Sequence, residues 1–188
     1  ERQSLPQSKL TTLVRALSEL PLKLEEALSS TEKVAELAKR YAKYDHAFFI
    51  GRGLDAVVAL ESSHKLKEIA YIFAEAYPGG ELKHGALALV TEKVPVIAIA
   101  TQPDLYEKII GSIKEVKARE AKVLAIVTTG DTVMAKIVDD VLYIPATDPL
   151  FAGIVAIVPL QMLSYLIAAE RGCDIDKPRN LAKSVTVE

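Results

Sequence analysis

The stretch H-A-F-F-I-G-R-G-L-D-A-V-V-A-L-E-S-S-H-K-L-K-E-I-A-Y-I-F, residues 46–73, decides the fold of this chain. Its first five residues, 46–50, are mostly apolar and predict a β-strand, and the G-R-G at 51–53 predicts a tight turn. From about residue 55 to residue 73 the pattern predicts a helix. Strands that alternate with helices are the repeating pattern of α/β proteins.

The same alternation continues along the chain. Further strands are predicted at residues 94–100, 122–127 and 140–144, and a helix at about 104–120. The run 94–100 is apolar throughout, as expected when both faces of a sheet are covered. We therefore predict a doubly wound, mainly parallel sheet flanked by helices. In such sheets ligands bind at the carboxyl ends of the strands, where the turns after Ile50, Ala100 and Val127 would gather.

Helices are also predicted before the first strand. Residues 5–28 carry leucines three and four apart but contain Pro21, which predicts two amphipathic segments joined at the proline. Ser30 or Thr31 is predicted to cap a third helix that ends near Lys43. The apolar side of that helix would be formed by Val34, Leu37, Ala38 and Tyr41.

The most apolar window of the chain is 150–169. Its length matches a membrane span. Pro159, Gln161 and Ser164 interrupt it, which favours a helix buried in the protein or shared with a partner subunit. No membrane association is expected.

Composition places the chain among ordinary soluble proteins. It has 188 residues, 50% hydrophobic and 26% charged, with a formal net charge of −2. Such a near-neutral net charge gives no sign of the basic surface that marks nucleic-acid binding. The single cysteine, Cys173, cannot form an internal disulfide, which suits a cytoplasmic protein. The three histidines, 46, 64 and 84, lack the spacing of a metal site, so no metal is expected.

A charged stripe interrupts the apolar helix of residues 55–73. Glu61, Lys65 and Glu68 are spaced four and three apart, so they lie on one helix face, with Ile72 next along it. The stripe has two interpretations: a solvated edge with ion pairs, or a base held on a rigid helix. A Y-P-G-G turn then delivers a second polar set, Glu81, Lys83 and His84.

Several long motifs in this chain are similar to those of one enzyme family. They are F-I-G-R-G at 49–53, K-L-K-E-I-A-Y-I at 65–72, A-E-A-Y-P-G-G-E-L-K-H-G at 74–85, P-L-Q-M-L-S-Y at 159–165 and D-K-P-R-N-L-A-K-S-V-T-V-E at 176–188. Over essentially its whole length the chain resembles the carboxyl-terminal sugar isomerase domain of the glucosamine-6-phosphate synthases (glutamine:fructose-6-phosphate amidotransferases, isomerizing). That resemblance implies an enzyme that makes glucosamine 6-phosphate from fructose 6-phosphate and glutamine-derived ammonia, without a cofactor.

The resemblance also implies roles for single residues. Glu68 would move a proton between sugar carbons 1 and 2, with Lys65 as its charged neighbour. His84 would assist ring opening in the site of a neighbouring subunit. Lys183 would form a Schiff base with the open-chain ketose, which requires a neutral amine. Substrate-binding positions are implied for Ala182 and Glu61.

Partners follow from the same resemblance. The chain would be a piece of a longer protein, in which a first sugar isomerase domain and a glutaminase domain precede it, and which forms a homodimer. The Ser-x-Ser-Gly-Glu-Thr loop with which the first domain binds phosphate is absent from this sequence. We expect a helical lead-in at 1–44, the sugar isomerase domain at 45–172 and an active-site tail at 173–188.

Two other functions stay open on the sequence. The chain could be a binding or regulatory sugar isomerase domain that holds a sugar phosphate without catalysis. It could also belong to a related isomerase or deglycase that acts on another amino-sugar phosphate. Retention of Glu68, His84 and Lys183 together favours the synthase, since a binding module needs no such set.

Overall fold

The computed structural model describes residues 5–181 and contains one parallel sheet between two helical layers. The strands are β1 (His46–Gly51), β2 (Phe73–Pro78), β3 (Val96–Ala100), β4 (Val123–Thr128) and β5 (Asp140–Ile144). The α-helices of the described part are α1 (Gln7–Leu28), α2 (Thr31–Tyr41), α3 (Leu54–Ala70), α4 (Tyr106–Lys117) and α5 (Pro149–Glu170). The strand order is β2-β1-β3-β4-β5, with every pairing parallel. The predicted doubly wound fold is confirmed.

Each face of the sheet is covered by its own core. Phe49, Ile97 and Leu124 point to the layer formed by α1, α2, α3 and α5. Their chain neighbours Phe48 and Val96 point to the opposite layer, which contains α4. Because side chains alternate between the two faces of a strand, burial on both faces makes the strands apolar throughout.

Helix α1 differs from its prediction. It is one continuous helix with Pro21 inside it rather than two segments joined there. Leu20 and Ala27, seven residues apart, are both buried on the face that packs against α5. Tertiary packing on both sides of the proline therefore holds the helix together despite the backbone hydrogen bond that proline cannot donate.

Helix α2 runs from Thr31 to Tyr41, and the four apolar residues predicted for its inner side are all buried. The predicted cap is wrong. Neither hydroxyl accepts a hydrogen bond from the start of the helix: Ser30 Oγ donates to the carbonyl of Ala27 at 2.7 Å, and Thr31 Oγ1 donates to that of Leu28. The hydroxyls complete the end of α1 instead.

Helix α3 ends earlier than predicted. It stops at Ala70, because Tyr71 adopts the left-handed conformation with φ 56° and ψ 28°. Ile72, predicted as the next member of the charged stripe, is buried beyond the helix, and Phe73 begins β2 in register with His46. The sequence prediction missed β2 altogether. Within it the residues A-E-A-Y at 74–77 alternate between small apolar and larger polar side chains, which was the available signal.

Helix α5 is long and apolar enough to span a membrane by length and composition alone. In this fold it packs against α1, α2 and α3. Gly172 follows it with φ +67°, the left-handed conformation that commonly ends a helix. The chain then continues along the edge of the sheet where the strands begin.

Candidate active site

The charged stripe of α3 forms a connected ion cluster. Lys65 Nζ lies 2.6 Å from Glu68 Oε2 and 3.7 Å from Glu61 Oε1. The hydrogen bond to Glu68 raises the pKa of Lys65 above its ordinary value, although partial burial acts in the opposite direction. Lys65 is therefore an ammonium at neutral pH. The stripe combines one cation with two carboxylates on one helix face.

Glu68 lies at the amino edge of the sheet. It belongs to the last turn of α3, which runs back from the carboxyl end of β1 to the start of β2. Its side chain is 42% exposed, so its carboxylate can meet a ligand. A ligand site was expected at the carboxyl ends of the strands. The predicted base lies at the opposite edge.

A pocket of about 270 Å³ adjoins Glu68. One wall is the end of α3, with Lys67, Glu68 and Tyr71, and the other is the chain segment Arg179–Leu181 that follows α5. The pocket is lined by a carboxylate, two cations and a phenol. Such a lining suits a polar ligand with hydroxyl or phosphate groups.

The segment after α5 is held against the body at several points. The Cys173 N–H donates to the carbonyl of Ala168 at 2.9 Å, and Ile175 packs against the core. Asp174 Oδ1 accepts the N–H groups of Asp176 and Lys177. These contacts bring residues 179–181 to Glu68. Ala182 and Lys183 lie outside the described residues.

Tyr71 is a site residue that sequence reasoning missed. Its hydroxyl accepts the backbone N–H of Arg179 at 2.8 Å, and the Arg179 guanidinium lies 4.2 Å from the centre of its ring. An aromatic residue at the end of a predicted helix gave no sign of this contact. The pair joins two segments more than 100 residues apart in the chain.

His84 lies away from Glu68. It ends a short 3₁₀ turn, Leu82–His84, that follows β2, so it is at the carboxyl edge of the sheet. Its side chain is 75% exposed, with Nε2 3.9 Å from Glu81 Oε2. The structure therefore brings together Glu61, Lys65 and Glu68 but leaves His84 apart.

A second cavity, of about 380 Å³, opens at the carboxyl edge between β3 and β4. Thr101, Thr128 and Asp131 line it, so the predicted gathering of the turns after Ala100 and Val127 is confirmed. Beneath it the buried Asp55 accepts the N–H of Thr101 at 2.7 Å and its hydroxyl at 2.5 Å. Burial raises the pKa of Asp55.

The turn at 51–53 has a structural reason for its first glycine. A Cβ at Gly51 would lie 2.3 Å from the carbonyl oxygen of Asp55, so only glycine permits α3 to begin this close to β1. Arg52 donates to Ser112 Oγ at 3.0 Å. The close approach of Asp55 accounts for Gly51 without a bound phosphate.

The fold and these motifs match a known family. The model of the SIS domain matches residues 40–171. The chain belongs to the SIS domain family. A glutamine–fructose-6-phosphate aminotransferase [isomerizing] of Caldanaerobacter subterraneus subsp. tengcongensis is 48% identical to this SIS chain over 188 residues, which are 100% of this chain and 31% of the relative. The chain thus spans about a third of the length of the curated relatives it matches.

Solved structures agree with this family. The C-terminal domain of glucosamine-fructose-6-phosphate aminotransferase from Francisella tularensis superposes with a TM-score of 0.86 at 34% identity, covering 93% of this SIS chain and 49% of that chain. A glucosamine-6-phosphate deaminase from Thermotoga maritima superposes with a TM-score of 0.62 at 28% identity. The match covers 85% of this SIS chain and 48% of the deaminase chain. The resemblance found in the sequence motifs is confirmed.

Proposed function

We propose that this SIS domain is the carboxyl-terminal part of an isomerizing glutamine–fructose-6-phosphate aminotransferase. The 48% identity to such an enzyme over the whole chain supports the proposal. The observation that carries it is the Lys65–Glu68 pair, 2.6 Å apart beside a polar pocket at the end of α3. The reaction joins ammonia to fructose 6-phosphate, releases water and gives glucosamine 6-phosphate.

Glu68 is the base in this proposal. A shift of a proton between two neighbouring sugar carbons needs one group that takes the proton and returns it on the same face. A carboxylate on a rigid helix suits this task. Lys65 holds one carboxylate oxygen of Glu68 and leaves the other for the sugar. Glu61 fixes Lys65 from the preceding turn of the helix.

Lys183 supplies the amine that binds the open-chain ketose. The described chain ends in the wall of the Glu68 pocket at Leu181, two residues before Lys183. Two residues span at most about 7 Å. Lys183 is thus within reach of a sugar in this pocket, and Ala182 would lie beside that sugar. The amine attacks the ketose carbonyl and water leaves, which forms a Schiff base at carbon 2. Ammonia then replaces Lys183 in this Schiff base and sets the lysine amine free, and the resulting imine acidifies the carbon 1 proton that Glu68 moves to carbon 2.

His84 serves the site of a second subunit. It lies at the carboxyl edge of the sheet, so it does not share a pocket with Glu68 of its own chain in the described structure. Its exposure leaves the imidazole free to contact another molecule. This arrangement requires a homodimer, most simply with twofold symmetry.

The phosphate of the sugar is held by a preceding SIS domain. Around Glu68 the described cations are engaged: Lys65 by carboxylates, Lys67 by Glu75 at 3.4 Å, and Arg179 by an aromatic ring. A dianionic phosphate needs oriented donors of its own. The Francisella tularensis structure, of which this chain covers 49%, has room for a second domain of similar size. A glutaminase domain would supply the ammonia, and we expect the enzyme in the cytoplasm.

The test is a product assay on the full-length protein that carries this domain. With fructose 6-phosphate and glutamine it should form glucosamine 6-phosphate. The 28% identity to a glucosamine-6-phosphate deaminase supports a second candidate, a deaminase that releases ammonia from glucosamine 6-phosphate. A protein that releases ammonia from glucosamine 6-phosphate and makes none from fructose 6-phosphate and glutamine would be of this second kind.

A further inference from the structure

The residue that ends α3 has an unusual backbone. Tyr71 adopts φ 56° and ψ 28°, a left-handed conformation that glycine tolerates and that is rare for an aromatic residue. Glycine is the common residue at this position after a helix. A tyrosine here carries a conformational cost that a glycine would avoid. Its side chain must therefore contribute something that glycine cannot.

That contribution is a two-point contact with Arg179. The Tyr71 hydroxyl accepts the Arg179 N–H at 2.8 Å, and the ring lies 4.2 Å beneath the guanidinium. Both contacts involve the segment that leads towards Lys183. Both also lie in the wall of the Glu68 pocket. The backbone at Tyr71 is anchored on both sides, since Ala70 and Ile72 are buried.

The segment that contains Arg179 also has a left-handed residue, directly after the contact with Tyr71. Asn180 has φ 61°, also left-handed, which turns the chain directly after the contact. Asparagine tolerates this conformation better than most residues. Leu181 then lines the same pocket as Glu68. The course of residues 179–181 is therefore set at Tyr71 and Arg179.

We propose that Tyr71 is a positioning residue, which holds residues 179–181 in the wall of the Glu68 pocket and so sets the point from which the chain continues to Lys183. This inference rests on the proposed function for the role of Lys183, whereas the contact itself does not depend on it. Tyr71 acts through Arg179 and need not touch the sugar. It sets how often the Lys183 amine is in place for attack on the ketose.

The test uses the full-length protein and three substitutions. Tyr71→Phe removes the hydroxyl and keeps the ring. Tyr71→Gly removes both contacts and suits the left-handed backbone, so it keeps the helix end intact. Tyr143→Phe on β5 is the control, an exposed tyrosine at the far edge of the sheet. The melting temperature of each variant reports whether the fold is kept.

The first readout is hydrogen exchange of the peptide that contains the Arg179 amide. We expect exchange of that amide to be roughly two- to tenfold faster in Tyr71→Phe and more than tenfold faster in Tyr71→Gly, because one and then both contacts are lost. The control should match the parent. Equal exchange in all four proteins would overturn the proposal.

The second readout is trapping of the Schiff base between Lys183 and fructose 6-phosphate with borohydride, followed by mass. We expect the trapped fraction and kcat to fall in the same order as the exchange rises, with little change in KM. Faster exchange with unchanged trapping would contradict the positioning role. If the parent itself traps no sugar, the function proposed for Lys183 fails, and the positioning role is overturned with it, while the exchange data still decide the contact.

Discussion

Glu68 and His84 lie at opposite edges of the parallel sheet. Glu68 is in the last turn of α3, directly before β2, and His84 follows β2. The six residues of β2 span roughly 20 Å at the rise of a β-strand. A single sugar cannot contact both side chains of one chain. If both act on one substrate, they come from different subunits.

This geometry predicts complementation between two inactive variants of the full-length enzyme. A dimer with Glu68→Gln in one subunit and His84→Ala in the other has one site with both native groups and one with neither. We expect such a mixed dimer, purified with two different tags, to show about half of the parent activity. Activity is measured as glucosamine 6-phosphate formed per dimer.

The control for complementation is a dimer of the parent subunit with a subunit that carries both substitutions. If the two groups act in trans, each of its sites lacks one group and this dimer is nearly inactive. If they act in cis, its parent subunit keeps an intact site. This control dimer then shows about half of the parent activity, and the dimer of Glu68→Gln with His84→Ala is nearly inactive. The cis result would contradict the shared site.

Lys65 is predicted to orient Glu68 through its charge-assisted hydrogen bond. In the full-length enzyme, Lys65→Met should lower kcat by roughly ten- to a hundredfold, since such bonds contribute about 1.5 to 3 kcal/mol when well formed. Lys65→Arg should restore part of the activity, because it keeps the charge. Equal loss in both variants would show that the cation itself is not what matters.

The raised pKa of Lys65 also predicts a pH dependence of stability. A cation whose pKa is higher in the folded state stabilises fully below its unfolded value of 10.5 and loses this contribution as pH rises through the folded pKa. The small difference in melting temperature between the parent and Lys65→Met should therefore disappear at strongly alkaline pH. A difference that grows with pH has the wrong sign for this account.

Tyr41 is predicted to join α2 to the sheet. Its buried hydroxyl donates to Asp140 Oδ2 at 3.0 Å, and Arg40 lies 2.6 Å from Oδ1 of the same carboxylate. Tyr41→Phe should lower the free energy of unfolding by about 1 to 3 kcal/mol. Chemical denaturation at neutral pH measures this. A loss below about 0.5 kcal/mol would mean that Asp140 is satisfied without Tyr41.

Burial, together with the neighbouring Asp140, raises the pKa of Tyr41 well above its ordinary value. Above about pH 10 the unfolded chain loses the tyrosine proton while the folded chain keeps it, so stability falls as pH rises. The parent should lose stability more steeply above that pH than Tyr41→Phe. Parallel curves would contradict the buried, protonated phenol.

The sequence was sufficient for four of the five strands and for the helical layers, because the central strands are buried on both faces. Runs such as 96–100 and 123–127 are apolar throughout and leave no alternative. Strand β2 was missed because its residues directly follow α3 and were taken into the predicted helix of residues 55–73 and the turn after it. The break between them depends on the backbone of one residue, Tyr71, which propensity does not reveal.

The site was predictable only in part. Spacing placed Glu61, Lys65 and Glu68 on one face, since helix geometry alone determines this. Their position at the amino edge depends on the length of α3, and the contact of Arg179 with Tyr71 depends on how the chain returns after α5. Such long-range packing has no local pattern. The resemblance to a known family supplied the roles that spacing could not.

The 188-residue chain alone should fold without catalysing the reaction. Its two cores and continuous sheet predict a cooperative unfolding transition. If a preceding domain holds the phosphate, the sugar is not positioned against Glu68 in the isolated chain, and most of the rate is lost. Calorimetric titration with fructose 6-phosphate should show weak binding or none. Efficient turnover by the chain alone would place the phosphate site within it.

The central claim, that Glu68 is the proton-transferring base, is tested most directly by Glu68→Gln in the full-length enzyme. The matched control is Glu75→Gln, which changes a carboxylate of similar exposure on the neighbouring strand β2, where Glu75 pairs with Lys67 of α3. We predict that kcat falls by roughly 10²- to 10⁴-fold in Glu68→Gln while fructose 6-phosphate still binds, and that the control stays near the parent. Turnover of Glu68→Gln within a few-fold of the parent would contradict the account.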